Sequence, residues 1–168
     1  MTQSEIDETD RPGEIRSSVD PAAMSPDAGV IFIGRARTPW TDRHAMPKNV
    51  RQARESRRPA RIEIDAPWRP GLMDLAAGSA VEVLTWLDRA RRDLVVQAPR
   101  HGERLSGVFS LRSPVRPNPI GLHIVRLLSC DAEAGVLTVD ALDCLDGTPV
   151  LDIKPWLASV DVPPEIEA

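Results

Sequence analysis

Leu122-His-Ile-Val-Arg-Leu-Leu-Ser129, a short acidic link ending at Gly135, and then Val136-Leu-Thr-Val-Asp-Ala-Leu142 form the stretch whose reading decides the fold. Two runs rich in Val, Leu and Ile, separated by a compact turn, read as neighbouring antiparallel strands over 122–129 and 135–142. Working outward, the same pattern bounded by Gly, Pro and Asp predicts strands at 150–153, 107–111, 94–98, 80–87, 60–65 and 30–37. A short helix over about 47–56 can carry Pro47 in its first turn, where a missing N–H costs nothing. The 16 prolines in 168 residues, about twice the usual ~5% share, argue for many short elements joined by stiff turns. The expectation is therefore mainly β: a single antiparallel β-barrel domain over 29–162 with short helices. A flexible acidic tail is expected over 1–28 and a short C-terminal tail over 163–168, because neither carries enough apolar residues to offset the entropy of ordering.

Composition excludes several classes. The chain has no run of about 18 apolar residues and no basic-then-apolar leader, so no membrane association is expected and the protein reads as cytoplasmic. Cys130 and Cys144 fit no zinc spacing and read as ordinary core thiols. Net charge is divided along the chain: seven acids against two bases over 1–28, nine against fifteen over 35–104, and nine against four over 105–168. The arginines at 51, 54, 57, 58, 61, 89, 91 and 92 fit either a polyanion footprint or a solvated face with pairs such as Arg51/Glu55. Nucleotide-binding, zinc-protease, hydrolase-elbow and calcium-loop templates are absent.

Two segments carry chemistry. In Leu111-Arg-Ser-Pro-Val-Arg-Pro-Asn-Pro-Ile-Gly121, three prolines stiffen the loop, so Arg112, Arg116 and Asn118 are held ready to meet a ligand at low entropic cost. Guanidiniums suit a carboxylate or phosphate, and Asn118 offers both a donor and an acceptor. In Asp140-Ala-Leu-Asp-Cys-Leu-Asp-Gly-Thr-Pro-Val-Leu-Asp-Ile-Lys-Pro-Trp156, Asp146-Gly147 is a strong turn signal. The spacing of Asp143, Asp146 and Asp152 wraps no cation, and Lys154 competes with one, so no metal is expected. These acids fit hydrogen bonding to a ligand or pairing with Arg112, Arg116 and Lys154. His123 reads as a satisfied core or rim histidine, and Trp40, Trp68, Trp86 and Trp156 mostly as core.

Taken with Ile33-Gly-Arg-Ala-Arg-Thr-Pro39, these segments resemble the hallmarks of the TsaA-like (YaeB, TrmO-type) family over most of the chain outside the acidic tail. The resemblance implies a β-barrel that binds S-adenosylmethionine at a homodimer interface. It also implies methylation of N6 of threonylcarbamoyladenosine beside the tRNA anticodon. Carried onto this sequence, the family's cofactor contacts fall on Arg112, on Leu122, and on Asp140, Ala141, Leu142 and Asp143. They also fall on Pro47, Lys48 and Asn49, which keep only part of the family's element, and on Leu87 and Asp88, where the family has a histidine that this chain lacks. Asp143, or else Asp88, is the candidate proton acceptor, Arg116, Asn118 and Lys154 the candidate loop and substrate residues, and the basic middle region the side facing tRNA. The competing readings are a regulatory module that binds the cofactor without transferring methyl, and a dimeric interaction scaffold.

Overall fold

The computed structural model describes residues 10–98 and 104–164. In chain order these contain β1 (Ile15–Arg16), β2 (Gly34–Arg37), α1 (Val50–Glu55), β3 (Ala60–Ile64), a 3-10 helix (Ala66–Leu72), β4 (Ala80–Trp86) and β5 (Leu94–Gln97). There follow β6 (Ser106–Gly107), a 3-10 turn (Val108–Ser110), β7 (Ile120–Asp131), β8 (Val136–Val139), β9 (Pro149–Pro155) and α2 (Ala158–Asp161). Strands β2-β3-β8-β7-β4-β9 close into an antiparallel barrel, the architecture expected from the turn spacing. Closure leaves no exposed sheet edge of the kind that invites pairing with another chain.

Alternation makes the barrel. Successive strand residues point to opposite faces, and in β3 the inward set is Ala60, Ile62 and Ile64, while Arg61 and Glu63 point outward. β8 supplies Leu137 and Val139, β7 supplies Val125 and Leu127, and β4 supplies Val81 and Val83, all at 1% exposure or less. Burying each such side chain contributes roughly 1.5–3 kcal/mol. The inward series of β4 and β7 continues into two polar side chains, Thr85 and His123.

The chain divides into two compact units, Val30–Trp86 with Leu122–Ala168, and Met1–Gly29 with Leu87–Gly121. Residues 94–98 and 107–111, read from sequence as barrel strands, are not in the barrel. β5 instead pairs with β1 and β6 in a three-stranded sheet, over its own cluster of Leu94, Val108 and Val115. Of 107–111 only Gly107 is strand, because the next three residues turn as 3-10 helix. Within the span expected to be a flexible tail, Ile15 and Arg16 form β1, held by ion pairs of Arg16 with Asp10 at 2.8 Å and of Arg91 with Asp10 at 2.6 Å and Asp93 at 2.8 Å. Arg16 lowers the pKa of Asp10, and Arg91 that of Asp93, each by hydrogen bonding to the charged carboxylate.

Gly34 is required by proximity. A Cβ there would lie 2.1 Å from the carbonyl oxygen of Glu63 on the paired strand β3. Gly34→Ala should therefore lower stability by about 2 kcal/mol or more, read as a shifted urea midpoint. An unshifted midpoint would show that β2 and β3 can separate at no cost.

Candidate functional site

The segment after β8 leaves the sheet because Asp140 occupies the ladder with its side chain. Its Oδ1 accepts from the Arg126 N–H at 2.9 Å and its Oδ2 from Arg54 Nε at 2.6 Å. A strand expected to run to residue 142 thus ends at Val139. Beyond it, residues 38–40 tie the segment down. Trp40 Nε1 donates to the Leu142 carbonyl at 2.8 Å, and Thr38 Oγ1 donates to the Cys144 carbonyl at 2.8 Å. Asp146 Oδ1 accepts from the Thr38 N–H at 3.0 Å. The Asp146 N–H donates to the Trp40 carbonyl at 2.8 Å, and Gly147 completes the turn at φ 81°.

These ties fix Ala141, Leu142 and Cys144 at 1% exposure or less. Among the described residues no hydrogen bond engages the backbone N–H groups of Ala141, Leu142 or Asp143. Buried backbone donors are almost always paired, so three consecutive open ones mark a place shaped for a ligand's acceptors. Asp143 lies beside them with its side chain 20% exposed. Its Oδ1 accepts from His123 Nδ1 at 2.6 Å, whose Nε2 lies 3.0 Å from Thr85 Oγ1. Asp143 Oδ2 takes no hydrogen bond from any described residue. Of the acids singled out in sequence, Asp140 has both oxygens committed, Asp146 closes the turn, and Asp152 pairs with Lys154 at 2.6 Å. Asp143 alone among them offers an oxygen next to open backbone donors.

The remaining expected residues separate by environment. Pro47 is buried and Lys48 and Asn49 are exposed. Their polar groups start α1, with Asn49 Oδ1 accepting from the Gln52 N–H at 2.9 Å and Gln52 Oε1 accepting from the Lys48 N–H at 2.7 Å, a reciprocal cap. In the unit of β1, β5 and β6, Arg116 donates to the carbonyls of Ser113, Val108 and Leu111. It therefore clamps its own loop, where the sequence had suggested a ligand contact. Arg92 adds a bond to the Pro117 carbonyl at 2.6 Å, and the Leu87 N–H one to Pro119 at 2.8 Å. Arg112, Asn118 and Asp88 are exposed and Leu87 is half-buried. Leu122 points outward from β7. Of the tryptophans only Trp40 is buried, with Arg58 over its ring at 5.0 Å. His101 lies outside the described residues.

Sequence reasoning missed His123 as a partner of Asp143. Strand alternation puts His123 on the same buried face as Gly121 and Val125, but it gives no sign of the partner. A groove of about 440 Å³ lined by Ile33, Ile64, Trp68, Leu72, Met73 and Asp152 contains none of the expected cofactor residues. Among the described residues, no three His, Cys, Asp or Glu side chains cluster as a metal site, and no helix is long and apolar enough to cross a membrane.

The fold and site define a class: a small closed antiparallel barrel with an irregular, carboxylate-bearing segment at a strand end. Residues 35–162 match the tRNA-methyltransferase O N-terminal domain, and the chain belongs to that family. It is 44% identical over 129 residues to a probable S-adenosyl-L-methionine-binding protein, VirR, of Rhizobium radiobacter, covering 77% of this chain and 71% of that one. It is 51% identical over 73 residues to a tRNA (adenine(37)-N6)-methyltransferase of Eikenella corrodens, 42% of each chain. The crystal structure of TrmO from Pseudomonas aeruginosa superposes with a TM-score of 0.66 at 30% identity, covering 86% of this chain and 62% of that chain. This chain thus spans less than two thirds of that enzyme.

Two outcomes follow from the packing. Trp40→Phe removes the indole donor to a buried carbonyl and should cost about 1–2 kcal/mol in urea unfolding; no loss would mean that the Leu142 carbonyl finds another donor. Burial, reinforced by neighbouring Asp143, pushes the Cys144 thiol up to about 12. At pH 8 it should remain protonated and resist alkylation in the folded protein. Rapid labelling of Cys144 in a peptide-mapped maleimide experiment would contradict this packing.

Proposed function

We propose that this chain is an S-adenosylmethionine-dependent methyltransferase acting on N6 of the adenosine beside the tRNA anticodon, with the threonylcarbamoyl-modified base as its substrate. The observation that carries the reading is the open segment of Ala141, Leu142 and Asp143, on which the family's cofactor contacts fall. Its residues fit the group. Backbone donors suit an acceptor nitrogen of an adenine, and a carboxylate oxygen without a protein donor suits a ribose hydroxyl or an amino group. Family membership and the names of the relatives support the same ligand and an adenine of tRNA; the threonylcarbamoyl group rests on the motif resemblance.

Bound here, S-adenosylmethionine would supply an electrophilic sulfonium methyl. The protein's own part is positional, because bringing two reactants into line contributes most of what such a transfer needs. Neither a covalent intermediate nor a nucleophilic side chain is required, consistent with the inert Cys144. A urea-like N6 is a weak nucleophile, and a carboxylate, Asp143 or Asp88, is our candidate to accept its proton. Arg112 and Leu122 are proposed as cofactor contacts on the family motif alone.

Exposed arginines at 51, 57, 58 and 61 around α1 and β3 are proposed to hold phosphates. Affinity for tRNA should then fall steeply with salt. We further propose a cytoplasmic homodimer. Outward-facing Leu122, Ile124 and Leu128 on β7, each at least 40% exposed, give a flat apolar strip of the kind that pairs with its own copy.

The experiment is transfer of labelled methyl from S-adenosylmethionine to tRNA bearing the threonylcarbamoyl group, with nucleoside mass spectrometry. The reading expects a methylated modified nucleoside from wild type and at least a tenfold slower reaction from Asp143→Asn. Tight cofactor binding with no transfer to modified or unmodified tRNA would replace it with a regulatory module, in keeping with the relatives named only as cofactor-binding proteins. Absence of binding would leave a scaffold.

A further inference from the structure

The barrel interior contains a polar chain that its packing does not require. Thr85 at 0% and His123 at 5% exposure stand at inward positions of β4 and β7, in series with Val81, Val83, Val125 and Leu127. Apolar side chains of similar size would fill these places without a desolvation penalty. Instead the two residues and Asp143 form one continuous line. Thr85 Oγ1 is 3.0 Å from His123 Nε2, and His123 Nδ1 is 2.6 Å from Asp143 Oδ1. The line begins in the closed core and ends on Asp143 Oδ1, while the other oxygen of that carboxylate, Oδ2, takes no hydrogen bond from any described residue.

We infer that His123 is a positioning residue for the cofactor site: it engages Asp143 Oδ1, so that Oδ2 is held toward the bound ligand. A carboxylate on a short side chain has two torsions to settle, and a fixed bond to one oxygen removes that freedom before the ligand arrives. The direction of the first hydrogen bond follows from the groups. A carboxylate accepts, so Nδ1 carries the proton facing it, and the Thr85 hydroxyl, which can donate or accept, meets Nε2. This is the arrangement by which second-layer partners orient ligand-binding groups elsewhere, with carboxylate and imidazole exchanged in role. The inference rests on the proposed use of Asp143 as a ligand contact.

The test joins two measurements. The first is nitrogen-15 NMR of the imidazole in the protein without added ligand: Nδ1 should appear protonated, and Asp143→Asn should change its shift. The second is calorimetry with S-adenosylmethionine on wild type, His123→Leu, His123→Asn, Thr85→Val and Asp143→Asn, each checked for an unaltered fold by circular dichroism. His123→Leu should weaken binding roughly tenfold or more, as loss of a charge-assisted bond does. His123→Asn places an amide donor where Nδ1–H stood and should restore affinity to within about threefold of wild type. In the Asp143→Asn background His123→Leu should add almost nothing, because it acts through that carboxylate. Should His123→Leu misfold, the Asn and Thr85→Val variants decide, with affinity retained in the first and weakened in the second. Wild-type affinity in a folded His123→Leu protein, or additive losses in the double variant, would overturn the inference. Absence of binding by wild type would instead overturn the functional reading, and the NMR would still establish whether His123 holds Asp143. A ring protonated on Nε2 alone, with Nδ1 bare, would refute the arrangement outright.

Discussion

Asp140 competes with the β-ladder, and the rest of the site depends on the outcome. By offering its carboxylate to the Arg126 N–H and to Arg54, it takes the place that a further strand residue would fill, and the chain is released from β8 into the segment that carries Asp143. A side chain that bonds to nearby backbone is a strand breaker with a mechanism. Here it breaks the strand just before Ala141, Leu142 and Asp143, whose N–H groups donate to no described residue. The salt bridge itself is partly exposed and contributes little stability; its value lies in geometry.

Releasing a segment from a sheet leaves it to find other restraints, and residues 38–40 provide them. The Trp40 indole, the Thr38 hydroxyl and the Thr38 backbone N–H each meet a group between Leu142 and Asp146. Two carbonyls are thereby satisfied while the neighbouring donors stay open. That asymmetry suits a ligand: the paired groups restrain the segment, and the N–H groups of Ala141, Leu142 and Asp143 donate to no described residue. The Pro-rich loop of the other unit is stiffened differently, by fixed φ angles and by Arg116 donating to three carbonyls of its own loop.

Much of this was legible in the sequence, where period and punctuation carry the information. Val-, Leu- and Ile-rich runs between Gly, Pro and Asp turns announced a barrel, Asp146-Gly147 announced a turn, and the motif segments pointed to Asp140 through Asp143. Partnership was not legible. Residues 94–97 read as a barrel strand because a strand pattern does not say which edge it will join, and pairing with β1 depended on Ile15 and Arg16 in a span too acidic to read as strand. Arg116 looked like a ligand cation because its residue type suits anions, yet the tight loop turned it onto its own carbonyls. His123 looked like ordinary core, since nothing in one sequence shows that position 123 and position 143 meet. In each case the missing information was a long-range contact rather than a local preference.

The central claim is that Ala141, Leu142 and Asp143 form the ligand site, with the carboxylate of Asp143 as its fixed acceptor. A crystal structure with S-adenosylmethionine bound tests it most directly. The account requires Asp143 Oδ2 within hydrogen-bond distance, about 3 Å, of a donor on the ligand, and the backbone donors of the segment facing its acceptors. Ligand seated instead in the groove of Trp68 and Met73, with Asp143 untouched, would contradict it.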